Sequence, residues 1–245
     1  CLNAGEYLGM QPRFSKDYSR LAYIGSTDKF LAHSSNYQLK SMSWPVSSNQ
    51  QAETIIDYVD EYPSDDCHFS GLYGYQMSYL TANFLGSSNR YYAFMSEFKG
   101  QNRLYVADLE NKGEVRWINF LGKTKEQYRQ GEYGLLGLHG NVAIVRYSQC
   151  NSPSRVYALF FQHLDGNLGD IQVEHVLLDE NKLHSKGLSE EVRSIRKDIV
   201  KLDNGAEGYF LRLSDEKLAK SPARGENGKH PMMVIIHGGP FGASP

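Results

Sequence analysis

Apolar residues recur along this chain in short bursts, separated by polar turns rich in Gly, Ser, Asn and Asp. Bursts of that length, rich in Tyr, Val and Ile, predict β-strands. Residues 11–24 read as strand, turn, strand: Ser15 to Ser19 supply the turn chemistry, and Leu21-Ala22-Tyr23-Ile24 is the apolar run that follows. Tyr37 to Trp44 alternates with period two, and Thr54 to Val59 makes a fourth strand. The cycle then recurs. Gln76 to Leu85, Arg90 to Met95, Arg103 to Leu109 and Glu114 to Ile118 are the second round; residues 134–138, 142–147, 155–161 and 173–178 are the third. The pattern predicts antiparallel sheets over residues 12–59, 75–119 and 133–179.

Equivalent landmarks fall at Tyr23, Phe94 and Val145, about 50–70 residues apart, against roughly 40–50 in a compact propeller blade. The excess fits insertions in blade loops, such as Glu61 to Tyr73. Strand-turn-strand at this period implies a repeat architecture in which each four-stranded unit covers the next. The expected fold is all-β: a partial β-propeller of about three blades over residues 1–180. An up-and-down barrel or a sandwich is the alternative. Three blades do not close a ring, so the first sheet is expected to expose an apolar face on its N-terminal side.

The rhythm breaks after residue 180. Ser189-Glu190-Glu191-Val192-Arg193 predicts a short helix capped by Ser189. Asp198 to Leu202 and Tyr209 to Leu213 predict a hairpin around a glycine-containing loop, and Lys220 to Gly228 a polar surface loop. Residues 181–230 therefore read as a hairpin and linker. Residues 231–245 follow as a third unit: Met232 to Ile236 are apolar without alternation, the mark of a strand buried on both faces, and His237-Gly238-Gly239-Pro240 comes directly after.

Composition narrows the function classes. The net charge is −2 with both signs interspersed, which gives no basic footprint for nucleic acid. No apolar run is long enough to span a membrane. The three cysteines, Cys1, Cys67 and Cys150, are odd in number and far apart. That favours reduced thiols and a cytoplasmic location over a disulfide framework. The chain opens on Cys1 with no signal peptide, and is expected to be a fragment or a processed product.

The chemistry concentrates at the end of the chain. Two adjacent glycines after a buried strand let the backbone turn sharply and leave its N–H groups open to approach. Pro231-Met232-Met233-Val234-Ile235-Ile236-His237-Gly238-Gly239-Pro240-Phe241-Gly242 resembles the strand and loop that begin the α/β-hydrolase domain in the prolyl oligopeptidase family, and most closely its acylaminoacyl peptidases. Phe69-Ser70-Gly71-Leu72-Tyr73 resembles a stretch that lies between two blades in the same enzymes. The resemblance implies a serine peptidase that releases N-acylated amino acids from short peptides. Its propeller would restrict access by size, with no metal or organic cofactor. It places the oxyanion role on the backbone N–H of Gly239, with His237, Gly238 and Pro240 shaping the loop. One such donor stabilises the developing oxyanion by roughly 3–4 kcal/mol.

The family's G-x-S-x-G nucleophile elbow is absent; Gly187-Leu188-Ser189-Glu190-Glu191 lacks its second glycine. No catalytic residue is assigned within the 245 residues. The Ser, Asp and His of the triad would lie beyond Pro245, and the chain by itself is expected to be inactive. The rival reading is a non-enzymatic propeller scaffold for protein partners. Asp65-Asp66-Cys67-His68 is read as a solvated loop rather than a metal site, because adjacent side chains do not converge on one ion. Glu190-Glu191 and Asp215-Glu216 are read as solvated acids. Tyr91-Tyr92 is a candidate partner contact, with one of the two in the core. Homo-oligomerisation is left open.

Overall fold

The computed structural model describes residues 8–27, 36–47, 50–59, 69–72, 82–98, 101–122, 131–180, 186–201, 203, 207–220, 229–230 and 232–233. It is almost entirely antiparallel β-structure. The first sheet contains β1 (Leu8–Phe14), β2 (Arg20–Ser26), β3 (Gln38–Ser43) and β4 (Glu53–Ile56). The second contains β5 (Ala82–Leu85), β6 (Tyr91–Phe98), β7 (Gln101–Asp108) and β8 (Val115–Trp117). The third contains β9 (Gly131–His139), β10 (Val142–Gln149), β11 (Ser152–Gln162) and β12 (Gln172–Glu180). Each is a simple meander with strands in chain order. Tyr23, Phe94 and Val145 all lie on second strands, as the landmark spacing predicts.

The strands form three separate four-stranded sheets, so the single-barrel alternative does not hold. The sheets stack face to face in a propeller-like arrangement, and the middle sheet is buried on both sides. Along β6, Tyr92 and Phe94 join Ala22, Ile24 and Leu39 of the first sheet, while Tyr91, Ala93 and Met95 join Leu135, Val145 and Tyr157 of the third. Successive strand residues point to opposite faces. A strand covered twice therefore has no polar side, which explains the unbroken run Tyr91 to Met95. It also corrects the reading of Tyr91-Tyr92: both rings are fully buried, one on each face, and neither is available to a partner.

A second correction concerns the outer faces. On the first sheet, Leu21, Tyr23 and Met42 are each only 4 % exposed and pack with Trp44, Val46 and Ala52. The exposed apolar face belongs to the third sheet instead, where Leu136, Phe160 and Val176 are solvent-accessible.

Beyond the sheets lie helix α1 (Lys186–Arg193), the hairpin β13 (Ile195–Lys201) and β14 (Glu207–Leu213), and a one-turn helix α2 (Asp215–Ala219). The hairpin forms as predicted. Helix α1 begins three residues before Ser189, so Ser189 lies within the helix and does not cap it. The acids at Asp215 and Glu216 are not merely solvated. They occupy the first turn of α2, where negative charge faces the unsatisfied backbone N–H groups.

Candidate functional site

The four residues expected to shape an oxyanion loop, His237, Gly238, Gly239 and Pro240, lie outside the described residues. So do Asp65, Asp66, Cys67 and His68. Of the strand expected before the loop, Met232 and Met233 are described. They belong to no strand and are 70 % and 84 % exposed, contrary to the burial expected of them. A doubly covered strand needs a neighbour on either side, and no described strand pairs with this segment.

Among the described residues the joints between the sheets can be followed atom by atom. The turn between β1 and β2 is organised by Asp17. Its Oδ1 accepts hydrogen bonds from Ser15 Oγ at 2.7 Å, Ser19 N at 3.0 Å and Ser19 Oγ at 2.9 Å. Arg20 N donates to Ser15 Oγ at 2.9 Å, locking the turn to the strand it opens. These bonds explain the serine and aspartate spacing in the sequence. The backbone N–H of Ser19, then the hydroxyls of Ser15 and Ser19, hold the Asp17 carboxyl well below its usual range, against the opposing effect of desolvation.

Equivalent turns of successive sheets are tied together. Arg20 Nη1 donates to Asn89 O at 3.1 Å, and Asn89 Nδ2 to Ser19 Oγ at 3.1 Å. Gly86 N donates to Gly140 O at 2.8 Å. A cleft of about 390 Å³ lies along these turns, lined among others by Lys16, Ser87, Ser88, Asn141 and Asp165.

The strongest joint centres on Asp108, which is fully buried at the end of β7. Arg90 Nε donates to both of its oxygens at 3.0 Å and Nη2 to Oδ2 at 2.6 Å. Glu110 N and Asn111 Nδ2 each add a bond at 2.9 Å. Arg90 Nη1 then reaches across to Gly166 O of the third sheet at 3.0 Å, a carbonyl that also accepts from Tyr91 Oη at 2.5 Å. Burial pushes the Asp108 carboxyl up, but the Arg90 guanidinium and the other donors outweigh it and hold the carboxyl below its ordinary value. A second arginine does similar work: Arg116 Nη1 donates to Leu168 O, Gly169 O and Ile171 O at 3.0, 3.1 and 2.5 Å. It borders a cleft of about 690 Å³ together with Phe120, His163, Asp170 and Gln172.

Phe69 to Leu72, the described part of the Phe69–Tyr73 stretch, joins the first two sheets. Tyr37 N donates to Leu72 O at 2.8 Å on the side of the first sheet. On the other side Ser96 Oγ donates to Gly71 O at 2.7 Å, and Ser70 Oγ to Glu97 O at 2.8 Å. The Phe69 ring packs edge-on against Tyr105, with centroids 5.1 Å apart. Gly71 has a φ of +108°, a region that favours glycine.

Nucleophile and base are not paired among the described residues. No side-chain hydrogen bond links His139, His163, His175 or His230 to a serine, and His175 instead packs against the rings of Phe120 and Tyr157. Burial pushes the Cys150 thiol up, which disfavours the thiolate. No three His, Cys, Asp or Glu residues gather as a metal site among the described residues. What the described geometry does is position: it fixes the stacking of three sheets through buried polar joints.

No protein-family model matches the chain, and no curated protein matches it in sequence. Among solved structures it is similar to puromycin hydrolase at 12 % identity, with a TM-score of 0.36 over 83 % of this chain and 33 % of that one. A mutant of puromycin hydrolase complexed with PGG gives 12 % identity and a TM-score of 0.37 over the same shares. TolB from Acinetobacter baumannii gives 11 % identity and a TM-score of 0.35 over 85 % of this chain and 52 % of that one. The chain thus spans a third of the hydrolase chains and about half of TolB.

Proposed function

We propose that this chain is the propeller portion, with the opening strand and oxyanion loop of the catalytic domain, of a cytoplasmic serine hydrolase that releases N-acylated amino acids from short peptides. The observation that carries the reading is the sequence Pro231 to Gly242, an apolar run closed by His237-Gly238-Gly239-Pro240 and Phe241-Gly242. It follows three four-stranded antiparallel meanders in the order that the prolyl oligopeptidase resemblance requires. In this reading the N–H of Gly239 donates to the oxyanion formed when a serine attacks the scissile carbonyl. His237, Gly238 and Pro240 hold the loop in shape. The stacked sheets stand over the site and admit short substrates only.

Fluorophosphonate labelling tests it. The full-length gene product labels at a serine within a G-x-S-x-G elbow, whereas the 245-residue chain, which has no such elbow, does not label. A full-length product that resists labelling, or a 245-residue chain that labels at Ser189 or Ser244, overturns the proposal.

A further inference from the structure

Two strand edges that no described strand pairs are opposite in charge and alike in apolar content. Strand β12 is the outermost strand of the third sheet, and no described strand lies on its far side. It carries Glu174, Asp179 and Glu180 around Val176, Leu177 and Leu178, all three of which are exposed. Strand β13 belongs to a two-stranded hairpin that joins no other described sheet. It carries Arg196, Lys197 and Lys201 around Ile199 and the exposed Val200. An edge strand presents a row of backbone donors and acceptors that a second chain can satisfy.

One antiparallel alignment uses both features together. With Val176 opposite Ile199, Glu174 falls opposite Lys201 and His175 opposite Val200. Leu177 then meets Asp198, whose carboxylate already accepts from Arg212 Nε at 2.7 Å within the hairpin. Beyond Leu177 the pairing of β11 with β12 is interrupted by a bulge at Leu178. The ordered ladder therefore covers only Glu174 to Leu177, opposite Lys201 to Asp198. Past it Asp179 runs beside Lys197 and Arg196, while Glu180 stays paired with Arg155 at 2.9 Å within its own sheet. Opposite charges and β-branched residues placed across a strand pair are the favourable combinations. The two edges sit in separate sheets of one chain, so a second copy is the partner whose charge and apolar pattern are already matched.

We propose that β12 of one chain pairs antiparallel with β13 of a second copy, and reciprocally, closing a twofold dimer. Reciprocal use of both edges leaves neither open, which distinguishes a closed dimer from a growing filament. The contact is independent of the hydrolase reading.

Sedimentation velocity on the 245-residue chain, from low micromolar to hundreds of micromolar, tests it. The expected result is a reversible dimer that weakens with added salt. Glu174→Lys and Lys201→Glu, both at exposed positions, each place like charges opposite one another twice per dimer and weaken it by about tenfold or more. The double variant Glu174→Lys/Lys201→Glu restores the opposition and returns the dimer to near its original strength. A purely structural role for either side chain would not produce that rescue. A chain that stays monomeric throughout, an assembly that grows past the dimer, or a dimer indifferent to the single reversals overturns the proposal.

Discussion

Replacing Arg90 with methionine should cost this protein a large share of its stability. The substitution keeps much of the apolar stem but removes the three contacts at 2.6–3.0 Å to the Asp108 carboxylate. It also removes the 3.0 Å bond to Gly166 O that bridges the second and third sheets. Asp108 is 0 % exposed and would be left charged, with only Glu110 N and Asn111 Nδ2 as donors. Breaking a buried pair by removing one partner costs about 3–5 kcal/mol. The two remaining donors put this case at the low end, about 3 kcal/mol. For a chain of this length that lowers the melting temperature by roughly 6–12 °C.

Urea unfolding followed by tryptophan fluorescence provides the assay, because Trp44 reports on the first sheet and Trp117 on the second. Asp108→Asn and the double variant complete a cycle. The double variant should be about 2 kcal/mol more stable than the two single losses would sum to, since the stranded charge is gone. If Arg90→Met shifts stability by less than about 0.5 kcal/mol, the range of an ordinary surface change, or if the coupling is near zero, the joint does not hold the sheets as argued.

Two further outcomes follow from the turns and joints. Gly71→Ala should destabilise by about 2 kcal/mol, because φ is +108° and a Cβ would stand 2.6 Å from Asn36 Oδ1; Gly113→Ala, at φ +78° with open space around it, should cost less in the same urea titration. Asp17 and Asp108 both have carboxyls held below their ordinary value, so their contribution is complete above about pH 5, begins to fall as the unfolded chain protonates near about pH 4, and is lost as pH falls through the lower folded-state values. Ser15→Ala removes the 2.7 Å bond to Asp17 and brings the folded-state value of that carboxyl closer to that of the unfolded chain. The acid-side loss, read from urea midpoints from about pH 5 downward, should therefore start at the same pH but be smaller and level off at a higher pH than in the parent.

Much of the fold was legible because a strand leaves a strong local signature. The turn at Ser15 to Ser19, a strand within Tyr37 to Trp44, and the equivalence of Tyr23, Phe94 and Val145 all survive in the structure, although Gln38 to Met42 is buried on both faces and the alternation read there does not appear. Burial on two faces was harder to read. An apolar run such as Tyr91 to Met95 shows that a strand is covered, but not which residue meets which neighbour. Tyr92 goes to the first sheet and Tyr91 to the third.

The polar joints escaped for a different reason. Arg90 and Arg116 reach backbone carbonyls at Gly166, Leu168, Gly169 and Ile171, and a carbonyl acceptor has no residue signature. The Arg90 and Asp108 pairing was within reach, since antiparallel β6 and β7 bring Tyr91 opposite Asp108. Helix α2 also carried a readable start signal in Ser214 followed by Asp215 and Glu216. The oxyanion loop is the reverse case. His237 to Pro240 stand out in sequence through their glycines, whereas the conformation that would give Gly239 its role lies outside the described residues.

Turnover of acetyl-alanyl p-nitroanilide by the full-length gene product carrying Gly239→Val tests the hydrolase reading most directly. A branched Cβ at this position restricts the turn and crowds the space where the oxyanion forms. The account predicts an active parent and a variant that keeps its circular dichroism and melting behaviour but loses turnover on the order of a hundredfold or more. A Gly239→Val protein that folds and turns over at the parent's rate would remove the oxyanion role from this loop.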